Sequence, residues 1–176
     1  MRDLFPVLRV LGMLMCMFAL AMALPGAVSW WQQESVWRVY PLSMAVTMGA
    51  GLLLWWLLRH HRQELQPRHG VILVTLVWVL LPLAASLPLW LAMAQVARPI
   101  SFTHAYFEAV SGLTTTGSTV LSGLDALPLS VNIWRTFLQW MGGMGILILA
   151  VAVLPLLGVG GSQLFKAEAA GPIKDT

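Results

Sequence analysis

The chain has 176 residues, of which 59% are hydrophobic and only 10% are charged, and its formal net charge is +3. A soluble domain of ordinary composition carries about a quarter charged residues, so the composition excludes that class and predicts an all-α membrane protein surrounded by lipid. The ten basic residues are dispersed over the ends of apolar runs. Without a basic patch, nucleic-acid binding is not expected.

The first two apolar runs are residues 7–30 and 39–58. Each is long enough for a spanning helix, which needs about 20 residues, so we predict a two-helix membrane hairpin over residues 1–69. The small-x-small sequence at residues 21–23 resembles a signal-peptide cleavage site. Because the apolar stretch continues past that site, a retained helix is the prediction and cleavage the alternative.

The third run, residues 70–96, contains Pro82 and Pro88, and we predict one bent helix because neighbouring helices can satisfy the freed carbonyl groups. Residues 101–113 are too few to span the membrane and predict a half-length helix with Thr103 as its N-cap. After a polar insert and a loop, residues 132–157 form the fourth predicted span. The second unit therefore covers residues 70–165, and a tail follows at residues 166–176.

Basic residues predict the orientation of these helices in the membrane. With the N-terminus inside, the cytoplasmic flanks hold Arg2, Arg9, Arg59, Arg62, Arg68, Lys166 and Lys174, and the outer flanks hold Arg38, Arg98 and Arg135. Seven basic residues against three agree with the positive-inside rule. Both termini are therefore predicted to be cytoplasmic, and the half-length helix enters the membrane from outside.

Residues 111–119 form a polar insert of serine, threonine and glycine. Irregular backbone at membrane depth is costly unless it is buried in protein or lines a water-filled path. A half-helix entering from outside directs its C-terminal carbonyl groups, with partial negative charge, toward the membrane centre. Extended residues after it can replace the hydration shell of an ion with carbonyl oxygens. The insert predicts a cation filter; a connection that binds nothing is the alternative.

Neutral carbonyl groups suit potassium, whereas magnesium and calcium favour carboxylate oxygens. We expect potassium at the backbone carbonyls of Thr115 and Thr116, and backbone freedom at Gly117. The predicted filter residues are Thr114, Thr115, Thr116, Gly117 and Ser118.

Glu108 lies on the predicted half-helix, and an acid at membrane depth needs a partner. We predict that it supports the pore loop through backbone amides or through Arg135, at the outer start of the fourth span. Attraction of cations by Glu108 is the alternative. Residues 142–145 contain three glycines, which predict a face for close helix packing.

Residues 102–119 (FTHAYFEAVSGLTTTGST), followed by Trp134, Arg135 and residues 139–145 (QWMGGMG), resemble the first pore unit of the Trk/Ktr potassium-uptake family, in particular its bacterial TrkH branch. The resemblance implies a potassium-channel-like unit of helix, pore loop and helix that is repeated four times in a complete member. By the same resemblance, Gly117 is the filter glycine and Thr114–Thr116 stand beside it.

The resemblance further implies potassium uptake across the bacterial inner membrane, with this chain supplying one quarter of the filter. It implies a cytosolic nucleotide-binding regulatory subunit as partner, a homodimer of the full-length protein, and no cofactor apart from the transported ion. Because only one pore unit is present, we expect the chain to be a fragment of a longer transporter. A non-transporting membrane scaffold is the alternative; catalytic residues are not predicted.

Overall fold

The structure, a computed structural model, describes residues 4–59 and 67–153. The helices in these ranges are α1 (Phe5–Ala21), α2 (Ala23–Trp31), α3 (Val39–Leu58), α4 (Pro67–Gln95), α5 (Phe102–Leu113) and α6 (Leu129–Val153), with a 3₁₀ helix, Leu124–Ala126, before α6. No strand occurs in this part of the chain. The all-α prediction is therefore confirmed, while the predicted tail lies outside the described residues.

Three helical segments of the described chain are long and apolar enough to cross a membrane: Phe5–Trp31, Val39–Leu58 and His69–Gln95. The second has the bounds that the sequence predicts. The first was predicted as one helix but divides at Met22, because Pro25 has no N–H to donate to the carbonyl group of Ala21. The fourth predicted span corresponds to α6, and its passage through the membrane stays a prediction.

The hairpin is formed by α1 packing closely on α3 at a pair of glycines. A Cβ atom placed on Gly12 would lie 2.7 Å from the carbonyl oxygen of Gly51, and a Cβ on Gly51 would lie 2.7 Å from that of Gly12. Small residues allow such close backbone contact, which is a main source of helix association in lipid, where the hydrophobic effect between helices is absent. These two glycines therefore fix where α1 and α3 cross.

Trp134 lies at the centre of the packed helices and has no exposed surface. Its ring centroid is 5.8 Å from that of Phe18 on α1, and its indole N–H donates a hydrogen bond of 3.0 Å to the carbonyl oxygen of Ala85 on α4. The buried indole donor thus has the partner it requires. Through Trp134, helix α6 contacts both the hairpin and α4.

A polar contact joins the hairpin to the beginning of α6. The carboxylate of Glu34, between α2 and α3, accepts hydrogen bonds from the backbone N–H of Ser130, at 3.2 Å, and from the Ser130 hydroxyl. The first N–H groups of a helix have no partner within the helix, and negative charge is favourable there. Glu34 therefore stabilises the N-terminal end of α6. The division into units at residues 69 and 70 stays a prediction.

Candidate ion-binding site

Helix α5 has 12 residues and is therefore about 18 Å long at 1.5 Å per residue, too short for a hydrocarbon core of about 30 Å. Its N-cap is Ser101, whose hydroxyl accepts a hydrogen bond of 3.2 Å from the backbone N–H of His104. The prediction of Thr103 as N-cap is wrong by two positions. Ser101 is the last residue with extended backbone, φ −67° and ψ 155°, as an N-cap requires.

The chain leaves α5 through the candidate filter loop, residues 114–120, whose first amides turn back to the last helical turn. The N–H of Thr114 donates to the carbonyl of Val110 and that of Thr115 to Gly112, at 2.8 and 2.9 Å. The carbonyl of Ser111 accepts from both Thr116 and Gly117, at 2.9 and 3.3 Å. The amides of four successive residues are thus bonded to the helix end.

The carbonyl groups of the same four residues differ from the amides, since they have no partner in the described part of the chain. Among the described residues, the carbonyl oxygens of Thr114, Thr115, Thr116 and Gly117 accept no hydrogen bond, whereas that of Ser118 accepts one of 2.6 Å from the Ser111 hydroxyl. A carbonyl oxygen carries two lone pairs, so these oxygens are available to a ligand. The residues of the candidate filter loop are exposed.

Two residues of the candidate filter loop have left-handed backbone conformations, Gly117 with φ +74° and Thr115 with φ +59°. Glycine adopts this region readily, but it is rare for a β-branched residue such as threonine. Strained backbone of this kind is held in place by its surroundings and clusters at functional sites. Among the described atoms, a Cβ on Gly117 would approach only Gln139 Nε2, at 4.0 Å. The requirement for glycine at position 117 is therefore conformational and not steric.

Hydroxyl groups of the loop and of the last turn of α5 form hydrogen bonds that hold the candidate filter loop in place. The Thr114 hydroxyl lies 2.8 Å from the Val110 carbonyl oxygen, to which it donates, and 2.8 Å from the Thr116 hydroxyl. The Ser111 hydroxyl, at the end of α5, donates to the carbonyl oxygen of Ser118. These hydroxyl bonds hold the loop and leave the carbonyl oxygens of Thr114–Gly117 without a donor among the described residues.

Glu108 holds the exit of the loop. One carboxylate oxygen, Oε1, accepts hydrogen bonds of 2.6 Å from the Thr119 hydroxyl and 2.6 Å from the backbone N–H of Val120. The other, Oε2, lies 3.0 Å from Arg135 Nε. The side chains of Glu108 and Arg135 are 2% and 13% exposed. A carboxylate this buried needs a charged partner and further donors, and here it has both.

The end of α5 rests directly on α6. A Cβ on Gly142 would lie 1.9 Å from the carbonyl oxygen of Leu113, and a Cβ on Gly112 would lie 3.0 Å from Cβ of Leu138. Of the other predicted packing glycines, Gly143 would meet the Thr115 methyl group at 3.7 Å, and Gly145 would meet no described atom within 4 Å. Gly142 is thus the position where α6 supports the base of the candidate filter loop.

The structure therefore brings together the predicted residues 114–118 and places Glu108 and Arg135 directly behind them. Ser111 and Thr119 belong to the predicted polar insert, but their contacts with Ser118 and Glu108 were not predicted. A signal for Ser111 was present, since it follows Glu108 by three residues and so lies on the same face of a helix. Asp125 is exposed on the 3₁₀ helix. In the described part of the chain, no three His, Cys, Asp or Glu side chains could hold a metal ion together.

Comparison with known proteins assigns the family. A family model described as "TrkH: Cation transport protein" matches residues 39–176. The chain belongs to this family. The Trk system potassium uptake protein TrkH of Halomonas elongata is 45% identical over 170 residues, which cover 97% of this chain and 35% of that protein. TrkH of Escherichia coli strain K12 is 42% identical over 169 residues, covering 96% of this chain and 34% of that protein.

A solved structure supports the same assignment. The crystal structure of the potassium transporter TrkH from Vibrio parahaemolyticus superposes with a TM-score of 0.80 and 38% identity, covering 94% of this chain and 35% of that one. The membership in the TrkH family and the membrane α-helical fold that the sequence predicts are thus confirmed. The chain spans about a third of the length of these TrkH-family relatives.

Proposed function

We propose that this chain forms one wall of a potassium filter and serves potassium uptake across the bacterial inner membrane. The observation that carries the proposal is the arrangement of the candidate filter loop. Four successive amides bond to the end of α5, and the four corresponding carbonyl oxygens accept no hydrogen bond from any residue that the structure describes. Carbonyl oxygens in this arrangement can replace the water around a weakly hydrated cation. The names of the TrkH relatives, which are potassium uptake proteins, support potassium as the ion.

In this proposal, potassium exchanges its water for the carbonyl oxygens of Thr115 and Thr116. Thr114, Gly117 and Ser118 complete the part of the filter, a ring of four such loops around the ion, that this chain supplies. The negative end of the α5 dipole points toward the loop and favours a cation there. Glu108 is bonded to Thr119, Val120 and Arg135, so its role is to hold the loop. One loop supplies one quarter of a ring, and the exposed face of the loop is where three further pore units would stand.

The orientation and the partners are part of the same proposal. The distribution of basic residues supports a cytoplasmic position for both termini. The resemblance to the Trk/Ktr family supports a cytosolic nucleotide-binding regulatory subunit and a homodimer of the full-length transporter, and the relatives are named as parts of a Trk system. The transported ion would be the only small ligand, and no catalytic chemistry is proposed.

The test uses a chimera in which this chain replaces the matched third of Escherichia coli TrkH. We expect Gly117→Ala to lower discrimination between potassium and sodium about tenfold, since placing a side-chain-bearing residue in the left-handed region costs roughly 1–2 kcal/mol. The measurement is potassium uptake by cells at increasing sodium concentration, at equal abundance of each protein in the membrane.

Gly123→Ala is the matched control, because Gly123 also has a positive φ, +61°, but lies outside the candidate filter loop. It should carry the same backbone strain and leave ion discrimination unchanged. Normal uptake and normal sodium discrimination by the Gly117 variant would refute the filter and leave the scaffold alternative.

A further inference from the structure

Helix α4 contains two prolines in its interior, Pro82 and Pro88. Each lacks the N–H that would bond to the carbonyl four residues earlier, and its ring crowds the preceding turn. In a membrane, the carbonyl groups of such turns are stabilised by donors from neighbouring helices. Side-chain donors that bond to backbone carbonyl groups of α4 therefore show which neighbouring helices stabilise its proline-containing turns.

The same contact is present at both prolines. The carbonyl oxygen three residues before Pro82, that of Val79, accepts a hydrogen bond of 3.2 Å from the Tyr106 hydroxyl. The carbonyl oxygen three residues before Pro88, that of Ala85, accepts one of 3.0 Å from the Trp134 indole N–H. In each case the donor is an aromatic side chain from another helix. The carbonyl groups that the prolines leave without a helical donor are those of Trp78 and Ala84, and the bonded oxygens are the next ones along the chain, in the turn that each proline ring distorts.

The two donors come from the helices that carry the buried ion pair. Tyr106 is on α5, two residues before Glu108, and Trp134 is on α6, immediately before Arg135. Glu108 in turn holds the exit of the candidate filter loop through Thr119 and Val120. Both sides of the ion pair are therefore fixed to α4 within one helical turn of the charged residue.

We propose that Tyr106 and Trp134 are positioning residues that fix α5 and α6 to the two proline-containing turns of α4, and thereby set the position of the candidate filter loop. This inference rests on the proposed function. A change in the backbone of α4 at either proline shifts the attached donor, and with it Glu108 or Arg135. The geometry around Gly117 then depends on α4.

The test is a double-mutant cycle in the Escherichia coli TrkH chimera, with Tyr106→Phe, Pro82→Ala and the two combined. The Phe variant removes one hydroxyl and keeps the ring. We expect it to change the ratio of sodium to potassium uptake roughly two- to tenfold, the factor that corresponds to one net hydrogen bond. In the Pro82→Ala background the same change should have a smaller effect, because an N–H at position 82 restores the bond to the Trp78 carbonyl and closes the turn around the Val79 carbonyl, so the two effects are not additive.

Tyr40→Phe is the matched control. Tyr40 is the other tyrosine of the chain; it is buried on α3, and its hydroxyl lies beside Ser130. It should leave the uptake ratio unchanged. A second cycle, Trp134→Phe with Pro88→Ala, tests the other contact in the same way.

The proposal would be overturned by additive effects in both cycles. It would also be overturned if Tyr106→Phe and Trp134→Phe left the uptake ratio unchanged, or if they lowered protein abundance without changing the ratio. Gly117→Ala is measured in parallel to separate this failure from that of the filter. If only Gly117→Ala alters discrimination, the positioning role is wrong and the filter stands. If none of the variants alters it, the filter itself is wrong.

Discussion

Gly142→Ala will destabilise this chain by on the order of 3 kcal/mol, the upper end of the cost of overpacking a close-packed interface. A Cβ at this position would lie 1.9 Å from the backbone oxygen of Leu113, and backbone at the end of a helix cannot move aside as a flexible side chain can. Helix α6 must therefore separate from α5, which removes the support beneath Thr114 and Thr115. The measurement is thermal unfolding of the detergent-solubilised chain.

Gly145→Ala is the control for this experiment. Gly145 is on the same helix, three residues further on, and a Cβ there would meet no described atom within 4 Å. Alanine is favoured over glycine inside helices by about 1 kcal/mol, so this variant should be as stable as the parent chain or slightly more stable. Equal stability of Gly142→Ala and Gly145→Ala would contradict the close contact between α5 and α6.

Neutralising one member of the buried ion pair is the second change with a large expected effect. Glu108→Gln leaves the guanidinium of Arg135, only 13% exposed, without its counter-charge. Breaking a buried pair from one side costs about 3–5 kcal/mol, and an amide is a weaker acceptor for Thr119 and Val120 than a carboxylate. We expect lower thermal stability of the chain and loss of most potassium uptake in the Escherichia coli TrkH chimera.

The double variant Glu108→Gln, Arg135→Gln distinguishes the loss of stability caused by an unpaired charge from the loss caused by altered packing. With no unpaired charge left, it should be more stable than the sum of the two single changes predicts. Asp125→Asn is the matched control, since Asp125 is an exposed carboxylate of the loop before α6, and a surface change of this kind stays within about 0.5 kcal/mol. Single variants as stable as this control would show that the ion pair does not support the loop.

The fold was predictable where apolar length alone decides the structure. The bounds of α3 agree with the prediction because a continuous apolar run ends directly at Arg59. The division at Met22 had a signal in Pro25, which the continuous hydrophobicity of the first run obscured. The N-cap of α5 could not be chosen from residue type, since Ser101 and Thr103 both carry a suitable hydroxyl, and the choice depends on where the extended backbone ends.

The residues of the candidate site could be predicted from their types, whereas most of the contacts between them could not. The polar insert indicated residues 114–118, and the need of a buried acid for a partner indicated Arg135 or backbone amides as partners for Glu108. The contact between Gly142 and Leu113 joins elements that are distant in the sequence, as does that between Tyr106 and Val79. Such contacts depend on how the helices cross, which no local pattern contains.

The most direct test of the potassium filter is the position of the ion in crystals of the Escherichia coli TrkH chimera. Thallium replaces potassium with the same charge and scatters strongly enough to be located by anomalous diffraction. We predict ion peaks on the pore axis in contact with the carbonyl oxygens of Thr115 and Thr116, and weaker peaks in Gly117→Ala. Peaks that lie beside the carboxylates of Glu108 or Asp125, with none at the loop carbonyls, would contradict the filter.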